Sequence, residues 1–488
     1  MRVFLCEKPS QGKDIARVLN ASQRGSGCYR GAGIVVTWCI GHLIEAAPPE
    51  AYGEQYKSWS IEQLPIIPEP WRVEPKAATA AQLKIVKQLV GQASELVIAT
   101  DADREGEMIA REIIDLCVYR GPIRRLWLSA LNEVSIRKAL IALKPSNETL
   151  PLYYAALARS RADWLIGMNL SRLFTLLGRQ AGYDGVLSVG RVQTPALALV
   201  VTRDREIACF VSVPFWTVEV ALSAGGQCFL ANWIAPDGCT DAAGRCLQQA
   251  AAQQAADRMR AASSAGVVSA ETERVRECPP LPFDLGTLQE VCSRQLGLDV
   301  QETLDIAQAL YETHKATTYP RSDSGYLPES MFAEVPTVLD AVLTTDPTLR
   351  PLLDQLDLTQ RSRAWNDSKV SAHHGIIPTL EPANLSAMSD KEIAVYKLIR
   401  AHYLAQFLPH HEFDRTTAQL LCGDQYLQAI GKQVIIPGWH QVLAVPEADD
   451  TDRESTPRSQ VLPAMHEGLP CQIGHIDLKS LKTQPPKP

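Results

Sequence analysis

The sequence has no long apolar run, and none of its apolar stretches reaches the roughly 18 residues of a candidate membrane span. The first ten residues, MRVFLCEKPS, also lack the apolar core and the small-residue cleavage site of a secretory signal. These absences disfavour membrane and secreted classes of protein. We therefore expect a cytoplasmic protein with no membrane partner.

The twelve cysteines include no Cys-x-x-Cys pair. Zinc ribbons and dithiol redox motifs depend on that spacing, so both are disfavoured and we expect no bound zinc. In a reducing compartment, most of these thiols would act as small apolar side chains.

A phosphate-binding loop of the Gly-x-x-x-x-Gly-Lys-Ser/Thr type is also missing. The only Gly-Lys pairs, Gly12-Lys13 and Gly431-Lys432, lack the required upstream glycine. A nucleotide-driven motor is therefore disfavoured. An enzyme that breaks and reseals a phosphodiester without ATP must conserve the bond energy covalently, as a tyrosyl phosphodiester does.

The net charge of −7 speaks weakly against nucleic acid, but binding depends on local basic surface rather than on the sum. Residues 151–203 contain no lysine and two acids, Asp163 and Asp184. Their six arginines are Arg159, Arg161, Arg172, Arg179, Arg191 and Arg203. This local excess of positive charge is a candidate anion-binding face, although ordinary solvated helix faces would have the same pattern.

The 488 residues exceed what one hydrophobic core organises, so three or four domains are expected. Up to about residue 150, the apolar runs RVFLC, IVVTWC, ELVIAT and RRLWLS alternate with amphipathic stretches. That alternation predicts a mainly parallel sheet with helices on its faces. The first helix, SQGKDIARVL, is predicted to begin with Ser10 as its N-cap.

Further along the chain, the hydrophobic period changes. Residues 151 to about 212 and 281 to 405 have helical periodicity, whereas FWTVEVAL, QCFLANWI, FDRTTAQLLC and QYLQAIGKQVII are typical of strands. Strands on both sides of a helical block predict one β domain interrupted by an inserted helical domain. An insertion tethered at two points can move as a lever.

The strongest chemical signal is TDADREGE, which begins where the apolar strand ELVIA ends. Asp101, Asp103 and Glu105 are spaced by two, so an extended turn would present all three to one side. Like charges this close repel by roughly 4 kcal/mol per pair at an effective dielectric of about 20, and a divalent cation removes that repulsion. Oxygen-only ligands suit Mg²⁺. The alternative is a solvated acidic loop with Arg104 as counter-ion.

The motif EKPS ends the first predicted strand in the same way. In a parallel sheet, Glu7 would reach the same edge as Asp101, where it could bind a metal or shuttle a proton. Lys8 beside it could hold a phosphate. Taken alone, this short motif also fits an ordinary strand end.

Two loop motifs are weaker signals. In SVGRVQTP, Gly190 permits close approach of a backbone, and Arg191 and Gln193 could clamp phosphates. In SAHHGIIPT, the adjacent His373 and His374 cannot share one face of a strand and are a poor zinc pair. One of them could bind a phosphate or donate a proton. Ordinary structural roles remain open for both motifs.

The stretch ATTYPRSDSGYLP contains Tyr319 two residues before Arg321. In an extended strand these two side chains would point to the same face. A free phenol has a pKa of about 10, and a neighbouring guanidinium could stabilise both the phenolate and the phosphate it attacks. Because the chain has thirteen tyrosines, an ordinary tyrosine on an edge strand is the alternative.

Together these motifs resemble those of the type IA DNA topoisomerases, with the bacterial topoisomerase III branch as the nearest group. The resemblance covers nearly the whole chain and is carried by EKPS, VVTWCIGHLIE, DADREGE, ARSRADWLIGMN, GVLSVGRVQTP, LYETHKATTYPRSDSGYLPE and DSKVSAHHGIIPT. It implies ATP-independent cleavage of one DNA strand through a 5′-phosphotyrosyl intermediate, strand passage and religation. Negative supercoils would be relaxed or DNA decatenated. A Toprim-type nuclease or primase, or a non-catalytic DNA-binding remnant, are the alternatives.

The resemblance also implies a multidomain toroidal fold with α/β, helical and β parts. The expected parts are a Toprim metal-binding domain with a Rossmann-like sheet (1–150), the first part of a helical base domain (151–213), a β hinge domain in two pieces (214–280 and 409–480), an inserted helical domain with the nucleophile (281–408) and a truncated base segment (481–488). Since relatives continue beyond that segment, we expect an incomplete base.

The resemblance assigns roles by motif position. Tyr319 would form the covalent link with help from Arg321, Glu7 would aid proton transfer, and Lys8 would contact the scissile phosphate. Magnesium would be held by Glu7, Asp101, Asp103 and Glu105. The positions expected to contact DNA are Ser188, Val189, Gly190, Arg191, Val192, Gln193, Arg159, His373, Trp59 and Arg172. The expected partners of this monomer are single-stranded or negatively supercoiled DNA and a helicase or single-strand-binding protein.

Overall fold

A computed structural model of the chain describes residues 1–370, 373–443 and 460–487. The chain folds into two units, each built from two chain segments. The first unit comprises Met1–Leu197 and Leu281–Leu404, and the second comprises Ala198–Pro280 and Ala405–Pro488. No helix among the described residues is long and apolar enough to cross a membrane.

Fifteen strands lie within these described ranges. They are β1 (Arg2–Cys6), β2 (Gln23–Gly25), β3 (Cys28–Arg30), β4 (Ile34–Trp38), β5 (Ile44–Ala46), β6 (Val73–Pro75), β7 (Glu95–Ala99), β8 (Ile123–Arg125), β9 (Lys144–Pro145), β10 (Pro214–Ala224), β11 (Gln227–Trp233), β12 (Ala265–Glu277), β13 (His411–Cys422), β14 (Gln425–Ile436) and β15 (Pro470–Lys482).

The α-helices of the described segments follow the same numbering by chain order. They are α1 (Pro9–Val18), α2 (Ala80–Gly91), α3 (Arg104–Leu116), α4 (Glu133–Ile141), α5 (Leu150–Gln180), α6 (Gln193–Ala208), α7 (Gln249–Ala261), α8 (Leu285–Leu296), α9 (Val300–Glu312), α10 (Val335–Thr345), α11 (Arg350–Leu353) and α12 (Asp390–Leu404). Short 3₁₀ turns connect several of them.

The first unit contains a seven-stranded sheet in the order β2-β3-β4-β1-β7-β8-β9. Strand β1 is parallel to both β4 and β7, and β7 is parallel to β8, which confirms the predicted parallel centre. The outer pairs β2–β3, β3–β4 and β8–β9 are antiparallel. Strand β8 ends at Arg125, so the predicted strand RRLWLS is wrong beyond that residue.

Strand β1 explains why the sheet is covered on both faces. Val3 and Leu5 enter one apolar core, and Phe4 and Cys6 enter another on the opposite face. Strands buried on both faces have the near-continuous apolar sequence seen in RVFLC. The core that contains Phe4 also contains Tyr319, so the segment after α9 packs onto this face of the sheet.

Helix α1 begins earlier than the sequence predicted. Its first residue is Pro9, so the N-cap is Lys8 and the predicted Ser10 cap is wrong. The Lys8 side chain makes no capping hydrogen bond to the helix. Proline suits a first helical position because the N–H it lacks would have no partner there. Lys8 therefore keeps its side chain free to point toward the carboxyl edge of the sheet.

The second unit contains a closed six-stranded barrel in the order β10-β11-β14-β13-β12-β15. Strands β12 and β13 pair along their whole length, from Ala265↔Cys422 to Glu277↔His411, and the chain between them forms residues 281–404 of the first unit. Strands β12 and β15 were not predicted, because most of their side chains are polar or exposed and no apolar alternation marks them.

A buried ion pair fixes the carboxyl end of β7. The Nε of Arg125 lies 2.5 Å from a carboxylate oxygen of Glu107, and neither side chain is exposed to solvent. The Nη atoms of Arg125 donate to the carbonyl oxygens of Thr100 (2.9 Å) and Asp101 (2.6 Å). Because a buried charge is stable only when it is paired and hydrogen-bonded, these contacts hold one backbone conformation at Asp101.

We predict that Arg125→Met lowers the free energy of unfolding by about 3–5 kcal/mol, since the change leaves Glu107 buried without its partner. Urea denaturation measures the loss. The adjacent Arg124 is exposed, so Arg124→Met is the matched control and should stay within about 0.5 kcal/mol of wild type. Equal effects of the two substitutions would contradict the assignment.

Candidate active site

The first unit brings Glu7 and Asp101 together at the carboxyl edge of its sheet. Strands β1 and β7 are parallel neighbours with Cys6 opposite Ala99, so the residues that follow them share this edge. The backbone N–H of Asp101 donates to Glu7 Oε2 at 3.1 Å.

Asp101 is buried and surrounded by donors. Gln11 Nε2 donates to Asp101 Oδ1 at 3.0 Å, and Lys8 Nζ lies 3.1 Å from Asp101 Oδ2. Burial raises the pKa of Asp101, and Lys8 opposes that shift. Burial, and then the charge of Asp101, raise the pKa of Glu7 to about 7. Burial therefore raises the pKa of both neighbouring carboxyl groups.

Asp103 and Glu105 do not lie on an extended turn, so that part of the sequence prediction is wrong. Helix α3 starts at Arg104, and Asp103 is its N-cap, with Oδ1 accepting from Gly106 N at 2.6 Å. A Cβ on Gly106 would lie 2.2 Å from the carbonyl oxygen of Asp101, so only glycine permits this tight turn.

Glu105 turns away from the other carboxylates toward His42. One carboxylate oxygen of Glu105 lies 2.7 Å from His42 Nε2, and Glu112 lies 2.7 Å from His42 Nδ1. Burial alone would lower the pKa of His42, but these two hydrogen bonds raise it to about 9. His42, which the sequence analysis missed, is therefore the partner of Glu105 in this structure.

The donor chemistry of Glu7, Asp101 and Asp103 fits Mg²⁺, because all three offer carboxylate oxygens and repel one another. Their oxygens do not form a group of three within 4.8 Å among the described residues. Lys8 contacts Asp101, and Tyr319 contacts Asp103, so two of the carboxylates already have partners.

Tyr319 lies against this acidic edge. Its Oη donates to Asp103 Oδ2 at 2.5 Å, and its backbone N–H donates to the carbonyl oxygen of Ser129 at 2.9 Å. The ring packs edge-on against Tyr311 and stacks on His373 at 5.2 Å. Burial, and then Asp103 and Asp101, raise the pKa of Tyr319 well above that of a free phenol.

Tyr319 is also almost closed off from solvent. Only 5% of the residue is exposed, and the cavity beside it has a volume of about 10 Å³. A phosphodiester cannot enter a space of about one water molecule. In this conformation the Tyr319 hydroxyl group is therefore not accessible to a molecule of that size.

Arg321 does not lie beside Tyr319 on a strand. The segment forms an isolated bridge between Thr317 and Pro378, then turns at Pro320 and Arg321. Arg321 is exposed and forms no ion pair with a described residue, although its charge contributes to the lowered pKa of Glu105, which is mainly due to His42. The predicted strand is wrong because Pro320 begins a turn here.

Lys8 is held between two carboxylates. Its Nζ lies 2.5 Å from Glu312 Oε1 as well as 3.1 Å from Asp101. Burial opposes the charge on Lys8, but Asp101 and Glu312 raise its pKa. Glu312 was missed by the sequence analysis; it ends α9, seven residues before Tyr319.

The two adjacent histidines have separate environments. His373 Nδ1 lies 3.0 Å from Asp323 Oδ1, beside the Tyr319 ring. His374 is buried, and its Nδ1 donates to the carbonyl oxygen of Gly375 at 2.8 Å. Both histidines line the small cavity beside Tyr319, but only the His373 ring stacks on the Tyr319 ring.

The predicted DNA-contacting residues fall into an exposed and a buried group. Arg159 is exposed and lines a cleft of about 430 Å³ that also contains His42 and Glu105. Arg191 is exposed and pairs with Asp163 at 2.8 Å. The loop between α5 and α6 presents the remaining residues at or near the surface, namely Ser188, Val189, Gly190, Val192 and Gln193.

Arg172 is buried, and the Trp59 ring that its guanidinium covers is half-buried. Its Nη1 donates to the carbonyl oxygen of Tyr56 at 2.9 Å, and its guanidinium lies 5.2 Å from the ring of Trp59. Arg172 thus packs against the Trp59 ring, and its hydrogen bond to Tyr56 keeps it from contacting a phosphate in this conformation.

The comparisons with known families decide the identity of this site. The family model of DNA topoisomerase matches residues 147–488, and that of the Toprim domain matches residues 2–131. The chain belongs to the type IA DNA topoisomerases. Metal binding is typical of Toprim domains, which generally bind Mg²⁺.

Similar proteins extend over the whole topoisomerase chain. This chain is 40% identical over 499 residues to DNA topoisomerase 3 of Vibrio cholerae, and the alignment covers 100% of this chain and 76% of that relative. It is 42% identical over 516 residues to DNA topoisomerase 3 of Pasteurella multocida, with 100% and 78% covered. Full-length topoisomerase I of Thermotoga maritima has the same fold, with a TM-score of 0.71 at 22% identity over 99% of this chain and 73% of that one.

These similarities support DNA topoisomerase activity over a Toprim-type nuclease, a primase or a non-catalytic remnant. The fold is the multidomain type IA fold, with a Toprim domain in its N-terminal part. The enzyme is accordingly an isomerase that acts on DNA.

We predict that two arginines of this topoisomerase differ in what they support. Arg172→Met should cost about 1.5–3 kcal/mol of stability, because a charged hydrogen bond to Tyr56 is lost. Arg191→Met should leave the melting temperature unchanged and reduce the salt dependence of single-strand binding by about one phosphate contact. Thermal unfolding and fluorescence anisotropy over a salt series measure the two effects. A stability loss at Arg191 without a change in salt slope would contradict this division.

Proposed function

We propose that Tyr319 is the nucleophile of this topoisomerase and that the carboxylates at the sheet edge move the protons of the reaction. The observation that carries the proposal is the hydrogen bond from Tyr319 Oη to Asp103 at 2.5 Å, next to Glu7 and Asp101. Of the described tyrosines with a large rise in pKa, Tyr319 is the one whose hydroxyl donates to this acidic edge.

In the cleavage step, Tyr319 Oη forms a bond to the phosphorus and the bond from phosphorus to the 3′ oxygen breaks. The phenolic proton passes to Asp103, which already accepts its hydrogen bond. Glu7, with a pKa raised to about 7, donates a proton to the departing 3′ oxygen. Resealing reverses each transfer, so the 5′-phosphotyrosyl bond preserves the phosphodiester energy without ATP.

In this closed state, each group proposed to react is hydrogen-bonded to or ion-paired with a neighbouring side chain. Asp103 holds the Tyr319 hydroxyl, and Glu312 and Asp101 hold the Lys8 ammonium. After the segment opens, an entering phosphate would replace these carboxylates as the partner of Lys8. Burial of Tyr319 and its hydrogen bond to Asp103 would thus keep the hydroxyl out of reach until DNA enters.

Magnesium would be held by Glu7, Asp101, Asp103 and, after release from His42, Glu105. It would supply positive charge that offsets the repulsion among these carboxylates and helps to position DNA. Lys8 and Tyr319 are the groups that compete with an ion for Asp101 and Asp103.

The DNA strand would follow the exposed cations toward this edge. Arg159, Arg191, Gln193 and His373 are proposed to contact it, and Trp59, supported by Arg172, would stack on a base. Arg321 would approach the phosphate once the segment opens. We propose single-stranded or negatively supercoiled DNA in the cytoplasm as the substrate, for a monomer that works with a helicase or a single-strand-binding protein.

We predict that Tyr319→Phe abolishes covalent DNA adducts trapped by denaturant, because the attacking oxygen is gone. Tyr311 is the sharpest control, since its ring touches Tyr319 and its hydroxyl lies near the same carboxylates. Tyr311→Phe should retain adducts, measured by gel electrophoresis of labelled oligonucleotides. Adducts that persist in Tyr319→Phe and vanish in Tyr311→Phe would move the nucleophile to Tyr311.

We further predict that Glu312→Gln tightens single-strand binding several-fold, because Lys8 then has one competing carboxylate fewer. Fluorescence anisotropy in a Tyr319→Phe background measures binding without cleavage. The exposed Glu290, paired with Arg294, provides the control Glu290→Gln, which should leave the affinity unchanged. Weaker binding by Glu312→Gln would show that Glu312 presents Lys8 to DNA rather than restraining it.

A further inference from the structure

The barrel unit contains a second cluster of ligand-type side chains, remote in sequence from the catalytic motifs. One ligand atom from each of Glu277, His411 and His440 lies within 4.8 Å of the other two. Within the part of the chain that the structure describes, no other three His, Cys, Asp or Glu side chains meet this spacing. We propose that these three residues bind one divalent transition-metal ion of the zinc type.

The hydrogen bonding of His411 fixes the tautomer that a metal needs. Its Nδ1 lies 3.1 Å from the carbonyl oxygen of Pro437. A carbonyl oxygen only accepts, so Nδ1 carries the proton and Nε2 carries the lone pair. Metal-binding histidines characteristically donate their other nitrogen to a carbonyl or carboxylate in this way.

Among the described residues, the Nε2 atoms of both histidines have no hydrogen-bond partner. His411 is 2% exposed, and the Nε2 atoms of His411 and His440 are both buried without a hydrogen bond. The nearest carboxylate oxygen of Glu277 lies 3.9 Å from His440 Nε2, beyond hydrogen-bonding distance. Because an unsatisfied buried polar group destabilises the folded state, a cation between these atoms would stabilise the site.

The chemistry of the three side chains also suits a transition metal, because imidazole nitrogen and carboxylate oxygen are both common zinc ligands. Glu277 supplies the negative charge, so the set is the two-histidine, one-carboxylate set that zinc accepts with a solvent molecule in the fourth position.

The two rings must tilt to bind one ion. They are stacked, with centroids 3.8 Å apart and planes 14° apart, and their lone pairs lie in the ring planes. At Zn–N distances of about 2.1 Å, two tetrahedral ligand nitrogens are about 3.4 Å apart. Binding of one ion would therefore require rotation about the side-chain bonds of at least one of the two histidines.

The position of the cluster suggests what the ion would do. Glu277 is the last residue of β12 and His411 the first residue of β13, and they are paired across the ladder. His440 belongs to the turn Gly438–Gln441 that follows β14. One ion would therefore cross-link three segments of the barrel, at the end of β12 and the start of β13, between which residues 281–404 are inserted.

The test is Zn²⁺ binding to the full chain in excess Mg²⁺, which competes for carboxylate sites but poorly for imidazole. Calorimetry should give one Zn²⁺ site, and Zn²⁺ should raise the melting temperature. His440→Ala should weaken binding at least tenfold; it is partly exposed, so the variant should fold. His475→Ala removes an exposed histidine of the same barrel and should bind Zn²⁺ like wild type.

Substitution by Co²⁺ identifies the ligands. Visible bands without a thiolate charge-transfer band are expected, and Glu277→Gln should weaken Co²⁺ binding as well. A thiolate band would assign the ion to cysteines and overturn the proposal. Full binding by both His440→Ala and Glu277→Gln would show that these side chains do not hold the ion, which would overturn it as well. The absence of any stoichiometric binding to wild type would also overturn it.

Discussion

The ion pair between Arg125 and Glu107 is the constraint on which the catalytic edge depends. Both side chains are without solvent contact, and Arg125 also donates to the backbone carbonyls of Thr100 and Asp101. A charge can be buried at this depth only when it is fully paired. The pair therefore serves less as a source of stability than as a fixed support, because Asp101 has little freedom to move while its carbonyl oxygen is held.

On this support, the fold crowds like charges that would otherwise separate. Asp101, Glu7 and Asp103 lie at one strand edge, with Lys8 and the Tyr319 hydroxyl as their partners. Burial raises the pKa of Glu7 and of Asp101, and the acid and base roles that we propose draw on this crowding. The same contacts bury the Tyr319 hydroxyl, so the proposed reaction requires the Tyr319 segment to open.

Much of this edge could be predicted from the sequence, because it follows from local signals. An apolar strand followed by an acid puts that acid at the carboxyl edge, and two such strands side by side bring Glu7 and Asp101 together. The resemblance in motifs predicted the family. Partners that come from distant segments could not be predicted: Glu312, His42 and Arg125 have no local pattern that distinguishes them from ordinary helix and strand residues.

Other errors have local causes. Ser10 is a good capping residue, yet the helix begins at Pro9, so its N-cap, Lys8, lies two positions before the predicted one. Tyr319 and Arg321 were expected to share one face of an extended strand, but Pro320 begins a turn. The expectation of no bound zinc rested on cysteine spacing and stays a prediction, because such spacing carries no information on ligands brought together from positions 277, 411 and 440. Strands β12 and β15 have polar outer faces, and their pairing depends on barrel closure.

The central claim is that Glu7 acts as the acid and Asp103 as the base for attack by Tyr319. Single-turnover cleavage of an oligonucleotide with sulfur in place of the 3′ bridging oxygen tests it most directly, because a thiolate leaves without a proton. Glu7→Gln should be slow by about 10²–10⁴-fold on normal DNA and should recover on the sulfur substrate, whereas Asp103→Asn should stay slow on both. A Glu7→Gln enzyme that remains equally slow on the sulfur substrate would contradict the account.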